Sequence, residues 1–145
     1  MNNYWTEEDK AKLDLATTFE ELREVALSVI SRMPNPVAMV SGPISSGGEG
    51  SISKNIENLN QTVKNLTNQN INIFNQLPFE KPMQRIKESG YYLGEDHLLH
   101  GFYLPIFQSG KINKMYFMPN WRTSYGATWE HKISDQLQIP KVYLS

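Results

Sequence analysis

The chain contains no cysteine among its 145 residues. Disulfides, thiolate nucleophiles and cysteine-ligated metals are therefore excluded, and a reducing compartment is compatible. Histidine is scarce as well, with three in all. Neither charge dominates: 14 Lys and Arg stand against 15 Asp and Glu, for a formal net charge of −1. That balance lacks the basic surplus that tracks a nucleic-acid polymer, so no such partner is expected. No apolar run approaches the ~20 residues of a membrane span. The opening residues, MNNYWTEEDK, are polar and acidic, unlike a secretory leader. A cytoplasmic protein with no membrane partner is the expectation. What is present, 39% apolar and 20% charged residues, suits a folded globular chain able to bury a core.

The N-terminal third reads as helix. Residues 6–33 carry a break near Thr17-Thr18, which predicts a first helix over Glu7–Ala16 and a second capped by Thr18, with Glu21 completing a capping box. Leu22, Val25, Ala26, Val29, Ile30 and Met33 then recur at helical spacing. The PNP at 34–36 stops this helix. Val37–Val40 is a short continuous apolar run, the signature of a strand covered on both faces. Over 54–68, Ile56, Leu59, Val63 and Leu66 form one narrow apolar stripe among asparagines and glutamines. INIF at 71–74 reads as a second strand, 79–90 as a short helix, 94–110 as another helix kinked or started late by Pro105, KMYFM at 114–118 as a third strand, 124–138 as a helix, and KVYLS as a fourth strand. Strands alternating with helices predict an α/β fold with a parallel sheet of about four strands and right-handed crossovers. The expected organisation is a helical extension over 1–36 and one compact α/β unit over 37–145. With strand order 2-1-3-4, the ligand crevice lies beyond the carboxyl ends of the first and third strands, so the loops Ser41–Gly50 and Pro119–Gly126 should meet.

Those two loops hold the informative residues. The first, SGPISSGGEG, places four glycines within Gly42–Gly50. It lacks the Lys-Ser/Thr pair of a Walker A loop and is not GxGxxG. A run of backbone amides and small hydroxyls before a helix start remains, and such amides can hold phosphate or sugar oxygens; a plain surface turn is the alternative. In the second, MPNWRTSYGATWEHKISDQL, Thr123 or Ser124 is a natural N-cap, and Arg122 stands beside the positive end of the helix dipole. That suits a phosphate, with ordinary capping as the alternative. Glu130 follows. At ~100° per residue it lies near Gly126, Ile133 and Leu137 on the helical wheel and so leans toward the apolar face. A carboxylate so placed can attack an anomeric carbon or stabilise an oxocarbenium-like centre, although most helical glutamates are simply solvated. His131 comes next and should point elsewhere. Asp96, His97 and His100 offer three donors, but no further His or Cys completes a zinc set nearby, so no metal is expected. Trp121, Tyr125, Trp129 and Tyr103 read as packing aromatics.

Taken together, VSGPISSGG and the distant YFMPNWRTSYGATWEHKISDQLQIPKVYL resemble the nucleoside 2-deoxyribosyltransferase superfamily, and within it a set of small uncharacterised bacterial proteins; in outline they are also similar to the 2'-deoxynucleoside 5'-monophosphate N-hydrolases. The resemblance covers roughly Val37 to Leu144. It implies a flavodoxin-like parallel sheet and cleavage or exchange of an N-glycosidic bond by a glutamate nucleophile, which Glu130 matches. It implies that Ser124, six residues earlier, lies near the phosphate with Gly126 between, and that Ser41, Gly42, Ile44, Ser45, Gly47 and Gly48 contact sugar and phosphate. It also implies a small nucleotide or nucleoside partner, no cofactor, and a homo-oligomer. The sequence departs from the hydrolases where Ser45-Ser46 replace a first-loop arginine. No aspartate can be placed that would assist the leaving base; Asp96, His97, His100 and Tyr103 lie in the region that would supply a substitute. A non-catalytic nucleotide-binding or sensing domain, or an interaction module assembled through the N-terminal helices, are the competing expectations.

Overall fold

A hydroxyl caps most of the long helices. Thr6 caps α1 (Glu7–Leu15) by accepting from the Asp9 amide, while the Asp9 carboxylate accepts from the Thr6 amide. Thr18 caps α2 (Phe19–Arg32) through the Glu21 amide. The return bond differs from the expected box: the Glu21 carboxylate accepts from the amide of Thr17 and from the hydroxyls of Thr17 and Thr18. Ser51 caps α3 (Ile52–Thr67), and Ser124 caps the last helix. In this computed structural model residues 2–90 and 92–145 are described. Contacts group the chain into two units, each made of two segments.

The first unit comprises Met1–Pro34 and Gln76–Lys111. It is helical: α1, α2, a 3-10 turn at Leu77–Phe79 leading into α4 (Glu80–Glu88), and a continuous helical stretch formed by α5 (Glu95–Leu98), a π-helical segment (Leu99–Tyr103) and α6 (Leu104–Gln108). The sequence assigned 76–111 to the α/β part. Here it groups with the N-terminal helices, because its apolar side chains pack on theirs. Trp5 meets Phe79 at 5.5 Å between ring centroids, Phe19 meets His97 edge-on at 4.9 Å, and the Arg85 guanidinium donates to the carbonyls of Leu13 and Ala16. Asp9, buried, is paired with Arg32, which also donates to the Tyr4 carbonyl. The expected kink near Pro105 takes the form of the π segment. Proline lacks the amide that would bond four residues back, so the turn before it widens. Gly101 sits in that widened turn, where a Cβ would come within 3.4 Å of the Phe19 Cβ and 3.3 Å of the Glu20 carboxylate.

The second unit comprises Asn35–Asn75 and Ile112–Ser145. Its centre is a three-stranded parallel sheet, order β1 (Ala38–Ser41), β2 (Lys114–Phe117), β3 (Lys141–Tyr143). Ser41 is in register with Phe117, and Phe117 with Tyr143. All four β1 residues are buried, as their continuous apolar run predicted. The expected strand at 71–74 is reduced to a single bridge: Ala38 pairs with Ile73 through the Ala38 amide to the Asn72 carbonyl and the Phe74 amide to the Ala38 carbonyl, both 2.8 Å. The segment lies on the expected side of β1, but four residues that leave the unit after Asn75 make only one pairing. The fold is thus α/β with a small parallel sheet, and a fourth full strand is absent among the described residues. A 3-10 turn at Trp121–Thr123 and α7 (Tyr125–Gln136) join β2 to β3. No described helix is long and apolar enough to cross a membrane.

Candidate functional site

The loops after β1 and β2 do meet. The Gly48 amide donates to Thr123 Oγ1 at 2.7 Å, and the Tyr125 amide, first of α7, donates to Ser46 Oγ at 3.1 Å. Glycine is required where they touch. Gly47 has φ +69°, and a Cβ there would lie 2.0 Å from the Thr123 carbonyl oxygen; at Gly42 a Cβ would lie 2.4 Å from Met118 Sδ. Gly42 and Gly47 therefore serve close approach of one chain segment to another.

A residue read from sequence as filler holds the loop. Asn55, on the first turn of α3, is buried. Its amide nitrogen donates to the carbonyls of Ile44 (3.1 Å) and Gly47 (3.2 Å), and its oxygen accepts from the Glu49 amide (3.0 Å). Three of its hydrogen-bonding sites are used on six residues of loop. The only sequence signal was its place at the N-terminal turn of a helix that directly follows the glycines, where a short amide side chain folds back on its own loop.

Ser41 and Gly42 are buried, Ile44 and Gly47 half-buried, and Ser45 and Gly48 exposed. Ser41 Oγ is buried with no hydrogen-bond partner among the described residues, and so is Asn120 Oδ1, which the sequence reading passed over. Ser41 is the last residue of β1, and Asn120 follows β2 by three residues. Ser124 is 4% exposed and accepts from the Ala127 amide at 3.1 Å. Gly126 is half-buried, its φ is not positive, and a Cβ there would meet only Ser124 Oγ, at 4.0 Å. Nothing in the fold demands glycine at that position. Glu130 is 6% exposed, on the buried face of α7 with Ala127, Ile133 and Ser134. The lean toward the apolar face that the helical wheel predicted is realised.

Arg122 lies in the turn directly before the Ser124 cap. Its guanidinium lies over the Trp121 ring, 4.7 Å from the centroid. Trp121 is also stacked on His131, at 4.2 Å and 11°. His131 Nε2 is 2.6 Å from the Tyr143 hydroxyl, and its Nδ1 is 3.7 Å from Asp135, which Lys141 holds at 2.5 Å. Burial keeps the imidazole below its ordinary pKa; Asp135 opposes this, and Lys141 and Arg122 reinforce it. His131 does point away from Glu130's neighbours on the core face, into this aromatic cluster.

Asp96, His97, His100 and Tyr103 belong to the other unit. There the Tyr103 hydroxyl donates to Gln76 Oε1 at 2.6 Å, His97 Nδ1 accepts from the Leu93 amide, and His100 Nδ1 lies 2.9 Å from the Asp96 carbonyl oxygen. Among the described residues no group of three or more His, Asp or Glu side chains is placed to hold a metal ion. Comparison of the chain with protein-family models, curated proteins and solved structures finds no match.

Proposed function

We propose that the α/β unit acts on the N-glycosidic bond of a nucleotide or nucleoside, with Glu130 as the nucleophile. The observation that carries this reading is a buried glutamate on a helix whose buried N-cap serine lies six residues earlier and whose first amide is bonded to the glycine loop. The loop, Ser124 and Gly126 then form the wall for sugar and phosphate, and Ser41 Oγ and Asn120 Oδ1 are polar atoms a ligand can satisfy. A buried carboxyl group in the first half of α7 is suited to displace a base from C1' and to release the sugar to water or to a second base. The single Ile73 bridge beside β1 supports this reading, since a flavodoxin-like 2-1-3-4 sheet has a strand on that side. The same reading brings a cytoplasmic homo-oligomer that needs no cofactor.

The test is incubation with a panel of ribo- and deoxynucleoside 5'-monophosphates, with free base followed by chromatography and Glu130→Gln run alongside. Base release by the wild type and not by the variant is expected. Release by both removes Glu130 as nucleophile. A non-catalytic nucleotide-binding domain is the second reading, favoured by the Asn55 clamp, which shapes a loop without reference to Glu130. Ligand-induced thermal shifts without base release identify it.

A further inference from the structure

The aromatic cluster at the carboxyl ends of β2 and β3 is left unused by that chemistry. It borders a pocket of about 270 Å³ lined by Met118, Pro119, Trp121, Arg122, Tyr143 and Leu144. Arg122 is exposed beside it, and Tyr143 is 54% exposed. We propose that Arg122 and Tyr143 form a small-oxyanion site, distinct from the glycine loop, that is gated by protonation of His131.

The gate follows from donor accounting at the 2.6 Å contact between His131 and Tyr143. A phenol has one proton to donate. Asp135 beside Nδ1 favours the tautomer with the imidazole proton on that nitrogen, so neutral His131 accepts at Nε2. The Tyr143 proton is then spent on His131, and only phenolic lone pairs face the pocket, which repels an anion. When His131 takes a second proton, Nε2–H donates to the phenolic oxygen. The Tyr143 O–H is released to turn toward the pocket, and a positive charge is added behind it. The charged groups facing His131 are Asp135 on its own helix, Arg122 from the turn before it, and Lys141 from β3. Arg122 supplies a guanidinium held in place on Trp121. Because burial depresses the imidazole, the gate is shut at neutral pH and opens on acidification.

Sulfate is the probe, since its charge is constant from pH 5.5 to 8. It is titrated into the full chain at matched ionic strength and followed by two-dimensional NMR. The expected result is binding about fivefold tighter at pH 5.5 than at pH 8, as for one charge-assisted hydrogen bond at a partly exposed site. Shifts should centre on the Trp121 indole and the Tyr143 and Leu144 amides. By reciprocity, sulfate should raise the His131 pKa. Arg122→Met should abolish binding at both pH values, and Tyr143→Phe should shrink the acid gain. Equal affinity at both pH values overturns the proposal, as does binding that survives Arg122→Met. Shifts confined to the Gly48 and Tyr125 amides would place the anion at the start of α7; that refutes this site while supporting the phosphate wall proposed above.

Discussion

Replacing Asn55 tests whether the glycine loop is held from α3. Asn55→Ala removes three hydrogen bonds of 3.0 to 3.2 Å from a side chain that is 3% exposed. Each is worth about 1 kcal/mol net, but Glu49 is exposed and Ile44 and Gly47 are half-buried, so water can replace part of the loss. The expected cost is about 2 kcal/mol in urea unfolding at pH 7, with faster hydrogen exchange at the Glu49 amide. Asn55→Asp is the sharper probe because it keeps shape and changes sign. The carboxylate can still accept from Glu49, but it sets a charge against the two carbonyls that the amide nitrogen now satisfies. It should be at least as destabilising as alanine at pH 7. It should recover part of the loss near pH 4, where a protonated carboxyl can donate to one of them. An aspartate variant as stable as wild type at pH 7, or an alanine variant losing under about 0.5 kcal/mol, would refute the clamp.

Gly47→Ala should cost about 3 kcal/mol or more by thermal or urea unfolding, since a left-handed φ and a collision with the Thr123 carbonyl must both be relieved. Gly126→Ala should do the opposite, stabilising α7 by roughly 0.5–1 kcal/mol while abolishing base release if a ligand passes that position; unchanged turnover would remove Gly126 from the site. Glu80 gives a pH signature in the helical unit. Burial pushes its carboxyl up to about 7, with Glu95 adding to the shift and Lys87 opposing it. The folded state holds that proton more tightly than the unfolded one, whose value is ordinary. Stability is therefore present below about pH 4.5 and is lost as pH rises toward 7. Glu80→Gln should be about 3 kcal/mol more stable than wild type at pH 8 and indistinguishable from it at pH 4, and equal stability at pH 8 would refute the assignment.

Elements set by local chemistry were legible in the sequence. The break at Thr17-Thr18, the Ser124 cap and the apolar stripe of α3 appear within a residue or two of their expected places. The buried side of Glu130 followed from helical periodicity alone. Long-range choices were less legible. INIF has strand composition, but pairing depends on how far the chain stays beside β1, and it leaves after Asn75. Arg122 stands two residues before the Ser124 cap, as read, but its contact with the face of Trp121 was not legible in the pattern. Asn55 was hidden by its surroundings: among so many asparagines and glutamines, nothing in the composition distinguishes the one that turns inward.

The interleaving of the two units has a consequence for biosynthesis. Residues 1–34 leave the ribosome long before 76–111, and β1 long before β2 and β3. The helical unit is complete once residue 111 has emerged. The sheet has no second full strand until translation passes Phe117, and its third is added only after α7, at Lys141–Tyr143. From the emergence of β1 until that of β2 the nascent chain thus carries an apolar strand with no full partner strand, a period in which it depends on not meeting another copy of itself.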